Sequence, residues 1–190
     1  MVSRESKLAA IDYGIIICSD GVYSDTANDI SIGEIVRHCL RGSDISIRSI
    51  SGNNTSSLCE NASIQYENLR RFAASVDRCI VFLCVGLSEI TRGYELALFP
   101  THLDGLIYEF ERIGCDVVIV SSRIENKLSG KLLSSYKETL FISRQKSEER
   151  FCDIIELQII LDRNGNKFRM TSDSAIVVSS NISKYLMEQT

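Results

Sequence analysis

The chain has 190 residues, with 21 Lys+Arg against 25 Asp+Glu, a formal net charge of -4 and a pI near 5.3. At about 150 residues per domain, that length reads as a single domain over 1–190, with residues 1–9 as a flexible N-terminus. Hydrophobic residues at 44% and charged residues at 24% are ordinary for a globular domain, which excludes disordered and fibrous classes.

No basic run exceeds Arg70-Arg71, so a grip on nucleic acid or on an anionic membrane is not expected. The longest apolar run, Cys79 to Leu87, has nine residues and is too short to span a bilayer. Arg4 and Lys7 precede an apolar stretch, but Asp12 interrupts it and no small-residue cleavage site follows, so no signal peptide is read. The expected location is cytoplasmic.

In chain order, Tyr13-Gly-Ile-Ile-Ile-Cys18 is a buried strand running into the loop Ser19-Asp20-Gly21. Ile32, Ile35, Val36, Cys39 and Leu40 repeat with the spacing of one helix face, Ser31-x-x-Glu34 fits a capping box, and Gly42 stops the helix. Ile45, Ile47 and Ile50 predict a second strand, followed by a polar loop over residues 51–57. Tyr66, Leu69, Ala73 and Val76 predict a helix, and residues 78–85 a strand with both faces covered.

A loop is expected over 86–93, then a helical face at Leu103, Leu106, Ile107 and Phe110, and strands over 116–120 and 139–142. Late in the chain Ile155, Leu157, Ile159 and Leu161 alternate with polar residues, and Asn164-Gly165 precedes Lys167-Phe-Arg-Met170. That pattern favours a β-hairpin over about 155–171, although Phe151, Ile155 and Ile159 also suit a helix. Val178, Ile182, Tyr185 and Leu186 predict a closing helix. Alternating strands and helices give an α/β class: a three-layer αβα domain with a mostly parallel sheet.

The seven cysteines form no C-x-x-C, and Cys18, Cys39, Cys79 and Cys84 fall in apolar patterns, so packing is expected of them. Cys84, at a strand end, is the one thiol placed as a candidate nucleophile. His38 and His102 lack metal-ligand spacing and read as surface or packing residues.

In an open parallel sheet, ligands bind beyond the carboxyl ends of the strands. Three loops qualify: 19–31, 86–93 and 143–147. The first holds Asp20, Asp25 and Asp29 with Ser31 at a helix start, a set of carboxylates able to hold Mg²⁺ beside helix N–H groups able to take phosphate. The same residues also serve as ordinary loop and cap residues.

A strand ending in Ser19-Asp20, a loop with a second aspartate, and Asp29-x-Ser31 at a helix start resemble the MogA/MoaB family of molybdenum cofactor biosynthesis proteins. The order of elements over about residues 10 to 145 is similar to that family's as well. Its Thr-Thr-Gly-Gly-Thr-Gly motif falls at Leu83-Cys-Val-Gly-Leu-Ser88, keeping Gly86, and Arg92 matches the arginine that follows it. The family's acidic residue there is Gly93, with Glu95 nearby; Gly105 and Arg123 keep single positions of two further motifs, and 143–147 keeps nothing of a third.

The resemblance implies a molybdopterin-binding-like fold, a homotrimer, and adenylylation of molybdopterin by Mg-ATP. Asp20 and Asp29 would act in catalysis around Mg²⁺, while Ser19, Ser31, Gly86, Ser88 and Arg92 would bind the cofactor, with molybdopterin or a nucleotide as the small-molecule partner. The alternative is a catalytically inactive oligomeric scaffold or regulatory protein of the same fold, suggested by Leu83, Val85, Leu87 and Gly93 where the family expects polar, small or acidic residues.

Overall fold

β-branched and apolar residues dominate the first strand, β1 (Tyr13–Ser19), and every one of its residues is buried in the computed structural model. The structure describes residues 12–24, 31–40, 45–92, 96–125, 128, 130–164 and 167–189. β1 lies between β2 (Ile45–Ser51) and β3 (Arg78–Cys84), and β4 (Cys115–Ile124) and β5 (Asp153–Ile159) complete a sheet ordered β2-β1-β3-β4-β5. All its pairings are parallel.

The period of two sorts the central strands onto two cores. Ile15 and Ile17 of β1 join Ile80 and Phe82 of β3 on one face, and Ile16 and Cys18 join Val81 and Leu83 on the other. Helices cover both faces. α2 (Ile32–Cys39) and α8 (Ser172–Gln189) bury Ile32, Val36, Val178 and Ile182 against the first. α3 (Thr55–Ile64), α4 (Tyr66–Ala73) and α6 (Phe99–Arg112) bury Leu58, Leu69, Leu103 and Phe110 against the second. The expected three-layer α/β architecture with a mostly parallel sheet is therefore present.

Short helices close the strand ends: α1 (Gly21–Ser24) follows β1 and α5 (Leu87–Thr91) follows β3. A 3₁₀ turn, Leu96–Leu98, leads into α6. The expected loop over 86–93 is thus partly helical, and the expected loop over 51–57 gives way at Thr55 to α3, which Asn54 caps by accepting the Ser57 N–H. Ser31 caps α2, with the reciprocal bond between Glu34 and the Ser31 backbone, as the spacing predicted.

Two expectations fail in α7 (Gly130–Arg150). The strand expected over 139–142 and the ligand loop expected over 143–147 both lie inside this helix, whose buried residues are Thr139, Ile142, Ser143 and Ser147. Helical spacing carried by a threonine and serines hides an inward face from a hydrophobicity pattern. The late hairpin exists, but it joins β6 (Leu161–Asn164) to β7 (Lys167–Met170), and the alternating run at Ile155, Leu157 and Ile159 is β5 of the main sheet.

Far-separated segments meet at the other end of the sheet. The Tyr13 hydroxyl donates to the Gln189 carbonyl at 3.1 Å, and the Arg78 guanidinium reaches the Gln189 side-chain oxygen at 3.4 Å. Among the described residues, no helix is long and apolar enough to cross a membrane.

Candidate functional site

Register places the site. Ser19 pairs with Ser51 of β2 on one side and Cys84 of β3 on the other, so the three strands end level. Strand order reverses between β2-β1 and β3-β4, and such a switch opens a crevice beyond the strand ends. Asp20 sits there, its N–H bonded to the Cys84 carbonyl at 3.0 Å, and its neighbour Ser19 accepts the Gly52 N–H at 3.1 Å.

Asp20 is fully buried, and both of its oxygens accept backbone N–H groups. Oδ1 takes Val22 at 2.9 Å and Tyr23 at 3.3 Å, and Oδ2 takes Ser88 at 3.0 Å. The carboxylate therefore ties the first turn of α1 to the first turn of α5. Burial, followed by the charge of Glu89, pushes its carboxyl up to about 6, against the lowering effect of those three hydrogen bonds.

Gly21, next in sequence, has no room for a side chain. A Cβ placed on it would meet Arg92 Nη1 at 2.5 Å and the Asn53 carbonyl oxygen at 2.6 Å. Arg92 Nη2 also donates to the Gly21 carbonyl at 2.9 Å. Gly86 opens α5 with φ of 98°, a left-handed conformation suited to glycine, and a Cβ there would lie 2.6 Å from Thr139 Cγ2.

Glu89 is buried as well, with Oε1 accepting the Thr55 N–H at 2.9 Å. Glu89 Oε2, Ser88 Oγ and Thr55 Oγ1 are buried without a hydrogen-bond partner, a rare condition for oxygen atoms. Of these three residues Glu89 also lines, with Arg92, Lys131, Leu132 and Glu138, a cavity of about 880 Å³ between α5 and α7.

Of the residues singled out from the sequence, Ser19, Asp20, Gly86, Ser88 and Arg92 converge at this one place, on the loops after β1 and β3. Ser31 serves as the α2 cap. Asp29, with Asp25, Gly93 and Glu95, lies outside the described residues. Among the described residues no group of three or more His, Cys, Asp or Glu could hold a metal ion.

Cys84 is fully buried, and burial and then the Asp20 charge push its thiol well above the ordinary range, which keeps it protonated and un-nucleophilic. His38 is exposed on α2 and His102 half-buried on α6, helices of opposite layers. Sequence reasoning missed Glu89, Thr55 and Gly21. The signal for Gly21 was its place directly after Asp20 at a strand end.

No family model and no curated protein matches the chain. Solved structures do. An esterase, EstA, from Pseudoalteromonas sp. superposes with a TM-score of 0.67 at 12% identity, covering 93% of this chain and 97% of that one. A lipase/acylhydrolase from Enterococcus faecalis gives 0.66 at 10%, covering 93% and 96%. A member of the lipolytic protein G-D-S-L family from Veillonella parvula gives 0.65 at 14%, covering 92% and 98%.

These likenesses show the fold, which this chain shares with G-D-S-L lipases and esterases over nearly its whole length. They overturn the molybdopterin-binding-like fold and, with it, the assignment to molybdenum cofactor biosynthesis. The MogA/MoaB resemblance rested on Ser19-Asp20 at a strand end, Asp29-x-Ser31 at a helix start, and Gly86 and Arg92 after another strand. Of these, a strand-end aspartate, a capping serine and a strand-end glycine are features that this second parallel α/β architecture supplies equally well.

Proposed function

We propose that this chain is a binding protein built on the G-D-S-L esterase fold, in which serine-dependent ester hydrolysis has been lost. The observation that carries the reading is Gly21. Against the four letters G-D-S-L, the segment Ser19-Asp20-Gly21-Val22 keeps aspartate second and has glycine where serine stands. The space a serine side chain would need is filled by Arg92 and the Asn53 carbonyl.

Covalent acyl transfer needs a nucleophile within hydrogen-bond reach of a base. The chain has two histidines, and among the described residues neither bonds to a hydroxyl of the site. Asp20 is occupied by three backbone N–H groups and is part of the framework. Glu89, which lines the 880 Å³ cavity and keeps one oxygen without a partner, supports retention of polar ligand-binding capacity there.

The test is hydrolysis of p-nitrophenyl acetate and butyrate, together with mass spectrometry after exposure to a reactive alkyl phosphonate. We expect no saturable turnover and no adduct. Turnover accompanied by a phosphonylated serine overturns the reading.

A further inference from the structure

A second site lies at the opposite edge of the molecule from β5. β2 is the edge strand of the main sheet, with no strand on its outer side among the described residues. α2 and α4 belong to opposite layers, one packed on each face. Their overhang leaves a cleft of about 630 Å³ along the strand edge, lined by Arg37 of α2, by residues 47–50 of β2, and by Arg71 and Phe72 of α4. A sixth strand would occupy this layer, about 4.8 Å from β2.

Its charge is one-sided. Among the described residues Arg37, Arg48 and Arg71 line it and no carboxylate does, in a chain whose net charge is -4. Glu67, the nearest acid on α4 in sequence, is paired with Arg70 at 3.0 Å. Arg48 is held in place over the Phe72 ring, 5.5 Å from its centroid. Arg37 Nη2 lies 3.5 Å from the Ile47 carbonyl, at the outer limit of a hydrogen bond, so a better donor could displace it from that strand acceptor.

We propose that this cleft binds an extended acidic peptide, which adds to β2 as a further strand and sets the carboxylates of one face against Arg48 and Arg71 on the α4 side, with Arg37 facing its other side. Backbone groups of the edge supply affinity independent of sequence, and the guanidinium groups select acidic side chains, a division of labour common to strand-addition sites. A nucleic acid fits less well: it needs a continuous basic surface, and it offers no backbone donors and acceptors at strand spacing. This inference concerns a site separate from the strand ends and stands whether or not the chain hydrolyses esters.

The test is fluorescence anisotropy with a labelled ten-residue peptide of alternating Glu and Val. Three controls accompany it: the same peptide with N-methylated amides, a Lys-Val peptide, and a single-stranded RNA of matched charge. We expect saturable binding of the acidic peptide, weakened about tenfold or more by N-methylation and by Arg48→Glu or Arg71→Glu, a loss of at least about 1.4 kcal/mol.

Amide hydrogen exchange on the unaltered chain should slow across Ile45–Ser51 when the peptide is present, a readout that survives if a variant fails to fold. Absence of binding, equal binding of the methylated peptide, unchanged exchange in β2, or tighter binding of the RNA each overturns the proposal.

Discussion

The Ser88 backbone N–H donates to the Asp20 carboxylate at 3.0 Å, joining the turn after β3 to the turn after β1 across 68 positions of sequence. Asp20 is thereby the pin of the strand-end crevice. Its neighbour in space, Glu89, adds a second negative charge to the same buried volume.

Burial of the Asp20 carboxyl, with the charge of Glu89 second to it, gives a pH dependence with a definite sign. The Asp20 carboxyl, ordinarily at 3.8, is pushed up to about 6 in the folded chain, so the folded state holds this proton more tightly than the unfolded state does. The resulting stability is full below pH 3.8 and is lost as pH rises to about 6. Glu89→Gln keeps an oxygen for the Thr55 N–H and removes the charge. It should add about 1 kcal/mol at pH 7 and flatten the pH profile, as read from urea midpoints at pH 4, 5, 6 and 7. An unchanged profile would remove Glu89 as a cause.

Gly21→Ser restores the letter missing from the tetrad without restoring a site. The new Cβ meets Arg92 Nη1 and the Asn53 carbonyl, of which only the arginine can swing aside. We expect a loss of about 1–3 kcal/mol in thermal or urea unfolding, and no ester hydrolysis. The same change in an Arg92→Ala background should cost less relative to its own parent.

Phe151 follows α7 with φ of 53° and is 97% exposed. Helices commonly end in that conformation on glycine, and a side chain there adds strain. Phe151→Gly gives up almost no buried area and should raise stability by about 1 kcal/mol, measured as a shift in urea midpoint.

The Tyr23 hydroxyl is buried 2.5 Å from Ser122 Oγ and 3.3 Å from the Val120 carbonyl, linking α1 to β4. Tyr23→Phe strands these groups and should cost about 1–3 kcal/mol. A cost near zero would show that water replaces the phenol.

Much of the scaffold was readable because its signals are strong and local. β1 and β3 are continuous apolar runs, α2 carries both its face and its capping box, and Asn164-Gly165 marked a real hairpin. The failures have physical causes. α7 buries serines where a pattern reader looks for leucines, so Leu140, Phe141 and Ile142, adjacent in sequence, suggested a strand although Phe141 is 66% exposed.

At the site, Asp20 was legible as a residue at a strand end, but its partners were not. Which groups approach a carboxylate depends on the level ending of β1 and β3 and on the turn at Gly86. A lone aspartate also reads alike whether it faces a metal ion or three backbone N–H groups, and only the packing tells the two apart.

The meeting of Tyr13 with Gln189 bears on how the protein is made. A ribosome releases β1 well before α8, which helps to cover one face of that strand. Until residues 172–189 are free of the exit tunnel, Ile15, Ile17 and Phe82 have only α2's part of their cover on that side. The nascent chain must carry a partly open hydrophobic face from the emergence of β1 to that of α8, so α8 sets the moment at which this face can close and the interval in which a chaperone has something to hold.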